Sequence, residues 1–222
     1  MDRQTFAWRA VLLDFDGVIL ESNAARTEGF RRLFSDHPAS AVEALVRYHE
    51  ANGGLSRYHK IEYFFREILK RDVSPAERDR HAARFSALVK QTVIDSPYVP
   101  GARKFARRKH PFSMHLVSGS DQEELREICG RLGIAASFAG IFGSPTPKIR
   151  NVCGILAAHG YEAGRTVLVG DSRNDLEAAR ANGIFFIARA PAGAAWAADG
   201  DARIDDLLGL DRALETIAGR SV

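Results

Sequence analysis

Val11-Leu12-Leu13-Asp14-Phe15-Asp16-Gly17-Val18 carries a fold signal and a chemical signal in one short stretch. Three apolar residues make a buried-strand signal, and two carboxylates follow, two positions apart, where that strand runs out. Side chains at i and i+2 of a strand point to the same side, so Asp14 and Asp16 are expected to share one small space. Like charges there repel unless one is protonated or a cation lies between them. Gly17 allows the sharp exit that presents both acids to a crevice. Taken alone, Asp-x-Asp-Gly reads equally well as loop punctuation after a strand, and the rest of the chain has to decide.

After Val18 the pattern turns helical. Periodicity predicts four helices over Glu21 to Phe34, His37 to His49, Ser56 to Lys70 and Ser74 to Val93, with no strand among them. The last begins with Ser74 as N-cap, Pro75 in the first turn and Glu77 closing a capping box, and it sets Phe85, Leu88 and Val89 on one stripe. Pro97-Tyr98-Val99-Pro100-Gly101 reads as a turn or linker. Beyond it, short apolar runs alternate with helical segments. Strands are expected at 114–117, 138–142, 166–169 and 184–187, with helices at 122–131, 149–159, near 175–181 and at 204–217. Strands alternating with helices mean crossover units, so the fold class is α/β, a Rossmann-like and mostly parallel sheet. Residues 1–20 and 96–222 would form that core, and 21–95 an inserted all-helical unit. In such sheets ligands bind at the carboxyl ends of the strands near the switch point.

Composition sets limits on function. With 45% hydrophobic and 27% charged residues, the 222-residue chain is an ordinary globular one. No apolar run approaches a membrane span and Met1-Asp2-Arg3-Gln4 lacks a signal peptide's character, so no membrane association and a cytoplasmic location are expected. Cys129 and Cys153 lack metal-ligand spacing, and each is read as a buried thiol. The formal charge of +3 is mildly basic. Arg103-Lys104 and Arg107-Arg108-Lys109 have no interleaved aromatics and read as a solvated helix face, so no nucleic-acid partner is expected; a modest positive field also suits a small anion. No sequence feature bears on oligomeric state.

Three further strand ends carry polar residues. In Val117-Ser118-Gly119-Ser120-Asp121-Gln122-Glu123, Ser120 with Glu123 matches a capping box, which leaves the Ser118 hydroxyl and the Gly119 amide at the tip, able to bind phosphate oxygens. In Ser144-Pro145-Thr146-Pro147-Lys148, Thr146 reads as a cap and Pro147 as the first helical residue. Lys148 then lies in a first turn, where a cation is disfavoured unless an anion joins it. In Gly170-Asp171-Ser172-Arg173-Asn174-Asp175, a capping box accounts for Ser172 and Asp175 but not for Asp171. Asp171 with Asp14 and Asp16 makes a cluster of hard oxygens of the kind Mg²⁺ prefers.

Asp14-x-Asp16-Gly17-Val18, Ser118-Gly119, Lys148 and Gly170-Asp171-Ser172-x-x-Asp175, in that order and on strand ends, resemble the four motifs of the haloacid dehalogenase superfamily. The helical insertion resembles that superfamily's α-helical cap, which selects the substrate. The resemblance implies a Mg²⁺-dependent phosphomonoesterase acting on a small phosphorylated metabolite, a sugar phosphate or a phosphoglycolate-like acid. It implies that Asp14 is the nucleophile that forms an aspartyl-phosphate and that Asp16 is the general acid and base. It further implies that Asp14, the Asp16 carbonyl, Asp171 and Asp175 hold the metal, Asp175 directly or through water, while Ser118, Gly119 and Lys148 hold the phosphoryl oxygens. Asp16 favours phosphate chemistry over carbon–halogen cleavage, because dehalogenase members lack the second acid. Gly54-Leu55-Ser56-Arg57 is similar to a cap loop of β-phosphoglucomutase-like members, which implies that Arg57, beside the N-cap Ser56, contacts a second anionic group of the substrate. Those mutases place a histidine where this chain has Arg26, which weakens a phosphomutase reading. Phosphonate cleavage would use a cap lysine, for which Lys60 is available, but would replace Asp16. A catalytically silent phosphometabolite-binding module is the alternative from outside the enzymes.

Overall fold

The computed structural model describes residues 8–219. The opening stretch forms β1 (Ala10–Leu13), and all four of its residues are fully buried. It lies between β2 (Ser113–Asp121) and β4 (Thr166–Gly170) in a six-stranded parallel sheet completed by β3 (Gly140–Ser144), β5 (Phe185–Arg189) and β6 (Ala202–Ile204). The order is β3-β2-β1-β4-β5-β6, with Val11 facing Met114 on one side and Val167 on the other. The chain builds outward from β1 in one direction and then in the other, so the switch point lies between β1 and β4, where such sheets open a crevice. Val11 and Leu13 join the apolar core on one face of the sheet, while Ala10 and Leu12 join the core on the other. Burial on both faces is why β1 reads as an unbroken apolar run rather than an alternating one.

Between β1 and β2 lie α1 (Asn23–Leu33), α2 (Ala39–Ala51), α3 (Arg57–Tyr63) and α4 (Pro75–Ile94). The single helix expected over Ser56 to Lys70 instead passes from α3 into a π-helical turn at Phe64–Ile68. Phe64 and Phe65 are both buried there and pack on Phe34. Two adjacent large rings entering one core favour a locally wider turn. Ser74 caps α4 as expected, its hydroxyl accepting from the Glu77 amide at 3.2 Å. Phe85 and Val89 are buried, and Leu88 is only partly so. The aromatic core of these helices is continuous with the core on one face of the sheet.

The remaining helices are α5 (Ala102–Arg107), α6 (Gln122–Arg131), α7 (Lys148–His159), α8 (Arg173–Ala181) and α9 (Leu210–Ala218). Arg103, Lys104 and Arg107 are exposed on α5, as a solvated face requires. Two expectations need correction. Residues 204–217 are not one helix: β6 ends at Ile204, and a 3-10 turn at Leu207–Gly209 precedes α9. Cys129 is buried but Cys153 is exposed, because α7 turns Val152 and Ile155 inward and the two positions between them outward. Among the described residues no helix is long and apolar enough to cross a membrane.

Candidate active site

The carboxyl ends of β1, β2 and β4 and the start of α8 converge on a cavity of about 520 Å³, and α1–α4 close its opposite side. Asp14 is 3% exposed. Its Oδ1 accepts from the Phe15 amide at 2.7 Å, and its Oδ2 lies 3.0 Å from the Lys148 ammonium. Lys148 also bonds Asp175. Pro147 is the N-cap and Lys148 the first residue of α7, one position later than the Thr146 cap expected, and the two carboxylates offset the dipole that disfavours a cation there. Asp175 answers on its other oxygen, which accepts from the amide and hydroxyl of Ser172 at 3.1 and 2.6 Å, so the expected capping box is present.

Oxygens of Asp14, Asp171 and Asp175 lie within 4.8 Å of one another. Burial, reinforced by Asp175 and opposed by Lys148, pushes the Asp14 carboxyl well above the usual carboxylate range. Burial and Asp175 likewise push Asp171 up to about 7, against an Asn23 amide that donates to it at 2.7 Å. Lys148 is driven the other way: burial lowers it, but Asp14 and Asp175 outweigh that and its pKa is raised. One ammonium among three carboxylates leaves a surplus of hard anionic oxygen, the donor set that fits a divalent cation such as Mg²⁺. Gly17 permits the arrangement, because its φ is +73° and a Cβ there would meet Asp171 Oδ2 at 2.0 Å.

The Asp16 side chain does not share that cluster, contrary to the expectation from strand spacing. β1 ends at Leu13, and in the turn beyond it Asp16 faces α1. Its Oδ1 accepts from Ser22 at 2.5 Å and from Arg26 at 3.0 Å, and its Oδ2 from Ser120 at 2.7 Å. Burial would raise its pKa, but the Arg26 charge and these hydrogen bonds prevail and hold it below the usual range. Ser120 is free for this because it is not a helix cap. Asp121 caps α6, accepting from the Glu123 and Glu124 amides at 3.1 and 3.0 Å. Ser118 is buried, its hydroxyl accepting from the Ser120 amide at 3.1 Å where the β2–β3 register breaks. A Cβ on Gly119 would lie 2.1 Å from the Gly54 carbonyl oxygen, so the Gly53–Gly54 loop rests directly on this strand end.

Arg57 lines the cavity, but its guanidinium is engaged in a way its loop position did not suggest. It donates to both Glu124 oxygens at 2.7 and 2.8 Å and to Ser86. Arg26 donates to Glu124 as well, at 2.5 Å. Ser56 serves as the N-cap of α3, accepting from the His59 amide at 3.3 Å. The sequence pattern gave no signal for Ser22, Asn23 and Glu124, and it assigned Ser120 to a helix cap rather than to Asp16. Glu124 stands in the first turn of a regular helix, where an acid is ordinary, and nothing local separates it from a dipole-complementing residue.

Residues 8–183 match the family model of haloacid dehalogenase-like hydrolases. No curated protein matches by sequence. Several solved structures share the fold at low identity. CbbY from Rhodobacter sphaeroides, in complex with phosphate, is 20% identical with a TM-score of 0.72 over 94% of this chain and 99% of its own. β-Phosphoglucomutase from Clostridium difficile is 15% identical with a TM-score of 0.74 over 96% and 98%. A provisionally assigned HAD-hydrolase, YfnB of Bacillus subtilis, bound to magnesium, is 17% identical with a TM-score of 0.67 over 94% and 99%.

Proposed function

Since the chain belongs to the haloacid dehalogenase-like hydrolases, we propose that it is a Mg²⁺-dependent phosphomonoesterase acting on a small phosphorylated metabolite through an aspartyl-phosphate on Asp14. The observation that carries this is the buried Asp14 carboxylate at the sheet's switch point, pinned by Lys148 and the Phe15 amide beside Asp171 and Asp175. Asp14, the Asp16 carbonyl and Asp171 would hold Mg²⁺. Asp175, already bonded on both oxygens, would orient Lys148 and ligate through water. When bound, the ion would supply positive charge that lets two anions, carboxylate and phosphate, approach one another.

In the first step an Asp14 oxygen attacks phosphorus, the bond to the leaving oxygen breaks, and Asp16 gives that oxygen a proton. In the second, Asp16 takes a proton from the water that hydrolyses the aspartyl-phosphate, which releases phosphate and restores Asp14. Asp16 as placed is ionised, the form suited to the second step. The negative charge of a bound phosphate beside it is what would protonate it for the first. Ser118, the Gly119 amide and Lys148 would hold the transferring oxygens. Helices α1–α4, residues 21–95 with their approaches, would select the substrate as a cap. The unpaired Cys129 and Cys153 suit a reducing, cytoplasmic setting.

Purified protein with Mg²⁺ is expected to release phosphate from an activated aryl phosphate, with Asp14→Asn slower by at least about 10³-fold. Turnover of that variant at the wild-type rate would overturn the mechanism. A phosphomutase, the second reading, would interconvert phosphate positions on a sugar with little free phosphate. A silent binding module would bind phosphate esters and turn over none.

A further inference from the structure

Two of the three cations buried on the helical side of the cavity are already answered by carboxylates. Arg26 meets Asp16 and Glu124, and Arg57 meets Glu124. Lys60, one turn beyond Arg57 on α3, does not fit this pattern. It is 3% exposed, its ammonium donates to His49 Nδ1 at 2.8 Å, and among the described residues no carboxylate stands within ion-pair distance of it. His49 packs on Phe30, with ring centroids 5.0 Å apart. Burial first and then the Lys60 charge pull its pKa to about 3, so it is a neutral acceptor that orients the ammonium without neutralising it. Both residues line the cavity that contains Asp14 and Asp171. A buried ammonium with donors left over and no counter-charge is unfavourable unless an anion reaches it.

We infer that Lys60, oriented by His49, is the subsite for a second anionic group of the substrate, a carboxylate or a further phosphate on the fragment that departs with the leaving oxygen. This rests on the phosphatase reading for the position of the transferring phosphate. Lys60 takes the part that the loop sequence suggested for Arg57, whose charge is answered by a bidentate pair with Glu124 and which also donates to Ser86. Lys60 lines the same cavity as Asp14, Asp16 and Asp171, so one small substrate can present an anionic group to each end. Phe30 and Phe85 on the same wall, their centroids 4.4 Å apart, leave little for a long polar chain to bond.

The test compares 2-phosphoglycolate, a sugar bisphosphate and glycerol 1-phosphate as substrates of the wild type, Lys60→Met and Lys60→Gln in Mg²⁺. Calorimetry of phosphonoacetate against ethylphosphonate provides a readout without turnover. The wild type is expected to favour a doubly anionic ester at least tenfold in kcat/KM over the glycerol ester and to bind phosphonoacetate at least tenfold more tightly than ethylphosphonate. Whichever doubly anionic ester leads identifies carboxylate or phosphate as the second group. In both variants each preference is expected to fall below threefold. A wild type without preference, or variants that keep it, would overturn the inference. If no ester is hydrolysed while the phosphonoacetate preference exists and depends on Lys60, the phosphatase reading fails and the subsite stands.

Discussion

The two ends of one cavity carry opposite imbalances of charge. At the sheet end, Asp14, Asp171 and Asp175 crowd around a single ammonium, Lys148. At the helical end, Arg26 and Arg57 pair with the carboxylates of Asp16 and Glu124, and Lys60 adds a third cation that neither carboxylate pairs with. Burial acts on both ends by one rule, disfavouring the charged form of each group. It raises the carboxyls of Asp14 and Asp171 at one end and lowers Lys60 to about 7 at the other. In the proposed reading a divalent cation completes the first end and a substrate anion the second, and the metabolite lies between them.

The largest effect on stability is expected at the helical end. Glu124 is 3% exposed and joins α6 to Arg26 of α1 and Arg57 of α3. Glu124→Gln leaves two buried guanidiniums facing an amide and is expected to destabilise the fold by about 3–5 kcal/mol in denaturant titrations. Burial pushes the Glu124 carboxyl upward, but the Arg57 hydrogen bonds and both arginine charges prevail, and its pKa falls below its usual 4.5. A depressed carboxyl contributes fully above its unfolded pKa and loses that contribution as pH falls toward its folded value. The gap between wild type and Glu124→Gln should therefore be constant above pH 4.5 and narrow below it.

At the sheet end the corresponding perturbation adds a charge. Mg²⁺ at a hundred times its Kd is expected to stabilise the wild type by about 2.7 kcal/mol, and Asp171→Asn should lose most of that shift in thermal melts. Lys60→Met should change stability in the opposite direction to Glu124→Gln. Exchanging a buried cation that has no carboxylate partner for an apolar side chain is expected to stabilise the fold by roughly 1–2 kcal/mol at pH 7. A lysine whose folded pKa is lowered from 10.5 to about 7 destabilises most at and below pH 7, and the penalty fades as pH rises toward 10.5. The advantage of Lys60→Met should shrink over the same window. Asn23→Ala, which removes an exposed donor to Asp171, is expected to shift stability by only about 0.5 kcal/mol, read by the same titrations.

The sheet end was largely legible in the chain order, and the helical end was not. Alternating apolar runs and helical stretches sufficed for a parallel sheet, because two-sided burial leaves an unbroken apolar signature at β1 and strand ends carry their acids in plain sight. Asp14, Lys148, Asp171 and Asp175 are brought together by topology alone, since parallel strands place all their carboxyl ends on one edge. Asp16 was legible as a second acid just past the strand, but not the direction of its side chain, because strand alternation stops counting once the strand has ended at Leu13. The partners it turns to, Ser22, Arg26 and Ser120, belong to different elements.

What the sequence determined by itself was whatever depends on periodicity and on position along one element: the α/β class, the helical insertion, the four strand-end motifs and the acid set. Only the tertiary structure decided which buried charges neutralise one another. Glu124 and Arg57 lie 67 positions apart and meet because the folded chain brings the first turns of α6 and α3 within ion-pair reach. That pairing occupies Arg57 and leaves Lys60 unanswered, because an ion pair depends on distances of a few ångströms through space, which local sequence spacing does not encode.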